Sequence, residues 1–598
     1  MSIESPLFTE PEMNSGCDPD EVALKSFFLG PQSENAQWLG EMVSRVVDAY
    51  VGWRRRIHPE DGDAISEIDQ GTPEFKSRQA EFGARLDELL ARFEQEVPKF
   101  SPRYIGHMFS ETSMPAMVGH LVTLLHNPNN ISGESSRVGV QLEEEAVTAL
   151  ADMLGFSKHQ GVGHFTSGGT VANFEAMVRA RHRMERFIAL GARTRQKGLS
   201  RPSLFEAAHI GWKLYGHYLR VIGIDDELEE ALEPLEGNPF DVARRLGDIF
   251  DEPYRGPVVL VPDHKHYSWV KGVGLMGLGY ESFWSVALDD AGVMSVPHLE
   301  ERIEEARRMG RPIMMVVSVA GTTELGAFDP VHKIQDLLDR YASEQGIHIY
   351  HHVDAAYGGF FAANVCGGQC CVMGPDVCAA LRSIRRANSV TLDPHKLGYV
   401  PYSSGTFLAR SRREYFSNKV DAPYLDFKEG VDRGPQTIEG SRSAAGAVAT
   451  WLTAGTIGLD ADGYGRILRR TIQARIGVQQ ALEELDIPVR IIEATSNILA
   501  FCVAYDGEAV SVTNERTQKI YDAFSPEKDG EFYVSRTTLH FGQYGEMLTP
   551  FIGQWSGEAD EERLIMIRLT MMNPFLDSRE TRIDYARAFS QAVAQVIS

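Results

Sequence analysis

The sequence predicts an α/β protein built on a mostly parallel sheet, and three observations carry that reading. Short apolar runs at 258–261, 313–319, 347–353, 390–392 and 406–409 lack the polar alternation of a half-solvated strand, so both faces would be buried. Stretches with apolar residues three and four apart separate them, as crossover helices would. Segments rich in glycine, histidine and carboxylate follow the ends of these runs, where open α/β sheets bind ligands.

The elements fall into three regions. Residues 38–56 and 73–97 place apolar groups at helical intervals among charges, which predicts a helical N-terminal segment over 1–120. In the large region, 121–431, residues 141–154 form an amphipathic helix with Leu142, Ala146, Leu150 and Leu154 on one face, and the strand runs follow it. From Asp432 onward, helical patterns at 443–452 and 466–485 and strand patterns at 498–504 and 565–569 predict a smaller α/β domain, 432–598.

Composition narrows the function. The formal charge of −24, from 83 acidic and 59 basic side chains, argues against nucleic-acid and membrane partners and leaves small-molecule chemistry. No apolar stretch approaches the roughly 20 residues of a membrane span. Met1-Ser2-Ile3-Glu4-Ser5-Pro6 lacks the basic start and apolar core of a leader, so a cytoplasmic location is expected. Six cysteines do not make a disulfide framework in a chain of 598 residues. Cys366, Cys370, Cys371 and Cys378 have no histidines at zinc spacing, so no metal site is expected.

Three segments concentrate the chemistry. His164-Phe165-Thr166-Ser167-Gly168-Gly169-Thr170 precedes a helical stretch. Its glycines would let backbone approach a ligand and its helix start would favour phosphate, although a plain turn has the same composition. The run ending at Asp354 offers a carboxylate that can pair with a protonated ring nitrogen or simply cap a turn, and Ala356 leaves room for a flat ring. Lys396 follows the run 390–392, near His395 and Gly398. A lone lysine is usually a solvated cation, but one held neutral at a strand end can attack an aldehyde.

Gly321-Thr322-Thr323, then Asp354-Ala355-Ala356-Tyr357-Gly358-Gly359, then Asp393-Pro394-His395-Lys396 resembles the ordered motif set of the group II pyridoxal-phosphate decarboxylases, which are fold-type I enzymes. Within that group the likeness is to the long bacterial tyrosine decarboxylases. It includes Arg103-Tyr104-Ile105-Gly106-His107-Met108, Leu125-His126-Asn127-Pro128-Asn129-Asn130 and Glu439-Gly440-Ser441-Arg442-Ser443, and runs roughly over 103–574. The resemblance implies pyridoxal 5'-phosphate as cofactor, with Lys396 as its Schiff-base lysine, Asp354 at the ring nitrogen, Ala356 beside the ring and His266 stacked on it. Thr323 and Asp329 match positions near the ring and the imine, and Gly169, Thr170 and His395 match the phosphate cradle.

The same resemblance implies substrate contacts at His107, Tyr402, Arg442 and Thr570, and a homodimer. It also implies that Tyr424 helps protonate the carbanion left when carbon dioxide departs. Arg442 equally suits a tie between domains, and His264 rivals His266. Thr570 stands where these enzymes have serine, and Thr166-Ser167-Gly168-Gly169 departs from their alanine-aspartate-glycine turn. The expected reaction is decarboxylation of an L-amino acid, aromatic such as L-tyrosine, to its amine. The alternatives are an acidic substrate, an aldehyde-forming oxidase and a non-catalytic binding protein. A tyrosine at position 424, where the oxidative branch carries phenylalanine, favours simple decarboxylation.

Overall fold

A computed structural model describes residues 19–156, 161–223, 235, 237–365, 372–416, 427–428 and 432–598. Among them are eleven strands: β1 (Val162–Thr166), β2 (Val258–Pro262), β3 (Phe283–Val286), β4 (Ile313–Val319), β5 (His351–Asp354), β6 (Ser389–Leu392), β7 (Gly405–Ala409), β8 (Val489–Ile491), β9 (Ile498–Val503), β10 (Ser535–His540) and β11 (Arg563–Thr570). The first seven form one sheet in the order β1-β7-β6-β5-β4-β2-β3. Only β7 opposes its neighbours, so the C-terminal ends of the other six strands meet at one edge of the sheet.

Each apolar run predicted as a strand falls in this sheet or its approach. All seven residues of β4 are buried, as a strand with helices on both faces requires. The run 347–353 joins the ladder only from His351, because the N–H of His348 donates to the carbonyl of His209 instead. β1 was not predicted. Gly163 and His164 interrupt its apolar character, yet the whole strand is buried. A Cβ on Gly163 would lie 2.3 Å from the Phe407 carbonyl oxygen, so close pairing with β7 demands glycine. His164 has partners in the Tyr415 hydroxyl at 2.8 Å and Glu175 at 3.2 Å.

The second sheet, β10-β11-β9-β8, is wholly antiparallel. Leu499, Phe501 and Val503 of β9 face the core under helices Tyr464–Glu483, Val510–Phe524 and Tyr585–Ile597, whereas Ala500 and Cys502 face helix Phe541–Gly553. Two buried hydroxyls join this domain to the large one. Tyr357 donates to Asn497 Oδ1 (2.8 Å) and Tyr399 donates to the Met572 carbonyl (2.8 Å). The N-terminal helices Ala36–Ile57 and Pro73–Phe93 contain no buried residue. No described helix is long and apolar enough to cross a membrane.

Candidate active site

The edge where six strands end encloses a cavity of about 340 Å³. Five of the six strands contribute, at their ends or through the turns that follow; β3 does not. Gly168, Gly169 and Thr170 come after β1, His264 and His266 after β2, Thr323 after β4, Asp354 and Ala356 from the end of β5, and Asp393, His395 and Lys396 after β6. Tyr402 completes the wall between β6 and β7.

Gly169 opens the long helix Gly169–Gln196. A Cβ there would lie 2.8 Å from an Asp393 carboxylate oxygen and 3.2 Å from the Ala356 Cβ, so the turns after β1, β5 and β6 converge only over a glycine. The first N–H groups of a helix lack intrahelical acceptors, which makes this corner suited to phosphate. Lys396 Nζ lies 3.3 Å from the same Asp393 oxygen, Oδ2. No other lysine lines the cavity among the described residues.

Asp354 is buried and its two oxygens are used unequally. Oδ2 accepts from Asn173 Nδ2 (2.8 Å) and from the Trp269 indole N–H (3.1 Å). Oδ1 accepts only a longer bond from the Ala356 N–H (3.3 Å), which leaves it capacity for a ligand donor. His266 is half-buried, and burial, reinforced by the Lys396 cation but opposed by the Asp354 carboxylate, lowers its pKa. His395 is buried, accepts the Ser404 N–H on Nδ1 (3.0 Å), and stacks on Tyr402 at 4.0 Å with 27° between the rings.

Four expected site residues stand away from the cavity wall. Asp329 is fully buried. It pairs with His264 Nε2 (2.8 Å) and accepts the N–H groups of Met294 (2.8 Å) and Val319 (2.7 Å), so it reaches the cavity only through His264. Burial disfavours a charged His264, but Asp329 outweighs it and raises that pKa. Arg442 is also buried and committed to Glu143 Oε1 (2.6 Å) and to the carbonyls of Phe165 (2.9 Å) and Asn130 (3.0 Å). Thr570 is buried with its N–H on the Ile105 carbonyl (2.8 Å). His107 is exposed and separated from Tyr402 by Phe109, whose ring lies 5.9 Å from His107 and 6.2 Å from Tyr402. Tyr424 lies outside the described residues, as do Cys366, Cys370 and Cys371.

Asn173, Ser268, Trp269 and Asp393 also belong to this site. The sequence held one signal for Asn173: a polar residue four positions after Gly169, between Ala172 and Phe174 on a helix face that must meet the sheet. Together, an amine, a carboxylate with an open oxygen, a helix start and an imidazole surround a space suited to a flat, phosphate-bearing aldehyde. These are the requirements of a pyridoxal-phosphate enzyme.

Comparison with known proteins defines the class further. The pyridoxal-dependent decarboxylase conserved domain matches residues 88–233 and 251–498. The chain is 30% identical to an L-tyrosine decarboxylase of Levilactobacillus brevis, with 96% of each chain covered. It is 28% identical to an L-tyrosine decarboxylase of Enterococcus faecium, covering 97% of this chain and 99% of that one. Among solved structures, Oryza sativa TDC with PLP and tryptamine superposes with a TM-score of 0.62 at 16% identity, covering 98% of this chain and 99% of that one, and shows the same fold. This chain belongs to the pyridoxal-dependent decarboxylase family. It is a carboxy-lyase that uses pyridoxal 5'-phosphate.

Proposed function

We propose that this protein decarboxylates an aromatic L-amino acid, L-tyrosine foremost, at the cavity where Lys396, Asp354 and the Gly169–Thr170 helix start meet. That convergence carries the reading. The near full-length likeness to L-tyrosine decarboxylases supports the aromatic substrate, as does the aromatic wall of Tyr402 and His395.

Lys396 is the amine that would hold the cofactor. Bound pyridoxal phosphate supplies the electron sink for the pair released when the Cα–carboxylate bond breaks. Asp354 Oδ1 would pair with the ring nitrogen and keep it protonated, while Gly169, Thr170 and His395 would hold the phosphate. His266, Ala356 and Thr323, all on the cavity wall, would contact the ring. Tyr424 delivers the proton that replaces carbon dioxide on Cα, so no oxidant enters the balance. His107, behind Phe109, and Thr570 stand back from the cavity wall and would shape the substrate pocket indirectly, and Asp329 would act on the site through His264.

Purified protein loaded with pyridoxal phosphate tests the substrate. We expect kcat/KM for L-tyrosine to exceed that for L-glutamate, L-aspartate and L-lysine; preference for an acidic amino acid would overturn the aromatic assignment. Tyr402→Ala should raise the KM for L-tyrosine about threefold to tenfold, the equivalent of one aromatic contact of about 0.5–1.5 kcal/mol. An unchanged KM would remove Tyr402 from the pocket.

The protein acts as a homodimer in the cytoplasm. Val43, Val47 and Val51 on one N-terminal helix and Phe82, Leu86, Leu90 and Phe93 on another are exposed at helical spacing, a surface that a second copy would cover. The free buried thiol of Cys502 suits a reducing compartment. A chain starting at Pro98 should lose the dimer mass in light scattering. An intact, active dimer would show that these helices do not make the interface.

A further inference from the structure

Asn173 sits where four polar chains meet beneath the cavity, and every proton on it is accounted for. Its Oδ1 accepts the Thr391 hydroxyl (2.7 Å) and faces His352 Nε2 (3.4 Å). Its Nδ2 donates to Asp354 Oδ2 (2.8 Å) and to the Ser268 hydroxyl oxygen (3.0 Å). A carboxylate can only accept, so the reverse orientation of the amide would set oxygen against oxygen at Asp354. His352 gives the same direction from behind. Tyr350 spends its hydroxyl proton on Ser389 (2.8 Å), Ser389 can then donate to His352 Nδ1 (2.8 Å), and Nε2 is left as the donor toward Asn173. All of these groups are buried.

The chain ends on the cavity. Ser268 receives the Asn173 N–H, so its own proton is free for His266 Nδ1 (2.9 Å), and the Ser268 backbone N–H points at the same nitrogen (3.3 Å). A backbone N–H cannot turn to accept. Protonation of His266 at Nδ1 would therefore oppose two donors.

We propose that Asn173 is a positioning residue: one N–H fixes the Asp354 carboxylate, and the other, through Ser268, holds His266 as the neutral imidazole with its proton on Nε2. The two groups that would face opposite aspects of the cofactor, its ring nitrogen and its ring face, are thereby set by one carboxamide. This inference rests on the reading of the cavity as a cofactor site. The charged groups that face His266 are Asp354 and Asp393, which favour its protonation, and Lys396 and Lys271, which oppose it.

The test measures His266 itself in the cofactor-free full-length chain, by peptide mass spectrometry of hydrogen exchange at its imidazole C2 across pH. Ser268→Ala removes one donor to Nδ1 and should move the exchange midpoint upward by about half a unit to one unit. Ser268→Thr restores the hydroxyl and should restore the midpoint. Asn173→Leu frees the Ser268 hydroxyl to turn, so the midpoint should rise similarly and cofactor affinity, read by fluorescence titration, should fall several-fold. Midpoints equal to the wild type in Ser268→Ala would overturn the relay even if Asn173→Leu failed to fold. Failure of the wild type to bind pyridoxal phosphate would instead refute the reading of the cavity, because the exchange midpoints need no cofactor.

Discussion

Lys396→Ala should abolish the visible absorption band of the lysine-bound cofactor and lower kcat about 10³-fold or more, the scale of losing a covalent catalytic group. The expectation follows from position. Lys396 is the one lysine that lines the cavity among the described residues, and the turn after β6 holds its amine against Asp393. Lys265 and Lys271 belong to the segment after β2, and neither lines the cavity. Their substitution should leave the band in place. A band that persists in Lys396→Ala would transfer the role to another lysine.

Arg442→Ala should cost about 3–5 kcal/mol of stability, the range for breaking a buried ion pair and stranding its partner. Glu143 and Arg442 are each 4% exposed, and Glu143 also accepts the Phe165 N–H (2.7 Å) and Asn130 Nδ2 (3.0 Å). The loss should appear as a lower urea midpoint, and a stability change under 1 kcal/mol would contradict the packing described here. The same pair predicts a pH dependence. Burial alone would raise the Glu143 pKa, but Arg442 and the Phe165 N–H more than offset it and hold it below 4.5. A depressed carboxylate contributes its stability above its unfolded pKa and loses it as pH falls through the folded one. The Glu143 contribution is therefore complete near neutrality and fades only below about pH 4.5.

The sequence was most informative where one element decided the outcome. The run 313–319 is β4 residue for residue, because a strand buried on both faces needs no partner-specific residue to look apolar. Lys396, Asp354, Ala356 and Gly169 were legible because each follows a strand end, and the topology gathers strand ends at one edge. What stayed hidden depends on contacts far apart in the chain. Gly163 and His164 look like breaks in β1 until β7, more than 200 residues later, supplies the close backbone and the segment beyond it supplies Tyr415. Arg442 looked like a carboxylate ligand as readily as a domain tie, because Glu143 is 299 positions away. Asp329 was placed near the cofactor by motif, yet its oxygens are taken by His264 and two backbone N–H groups. The order of β8 and β10 around the stronger strands β9 and β11 also depended on antiparallel pairings that no local pattern contains.

The most direct test follows all products at once. Protein loaded with pyridoxal phosphate is supplied with L-tyrosine while carbon dioxide, amine, aldehyde and peroxide are measured in the same reaction. One amine for each carbon dioxide, with neither aldehyde nor peroxide, is the predicted result. Aldehyde and peroxide in place of amine would contradict simple decarboxylation at Lys396.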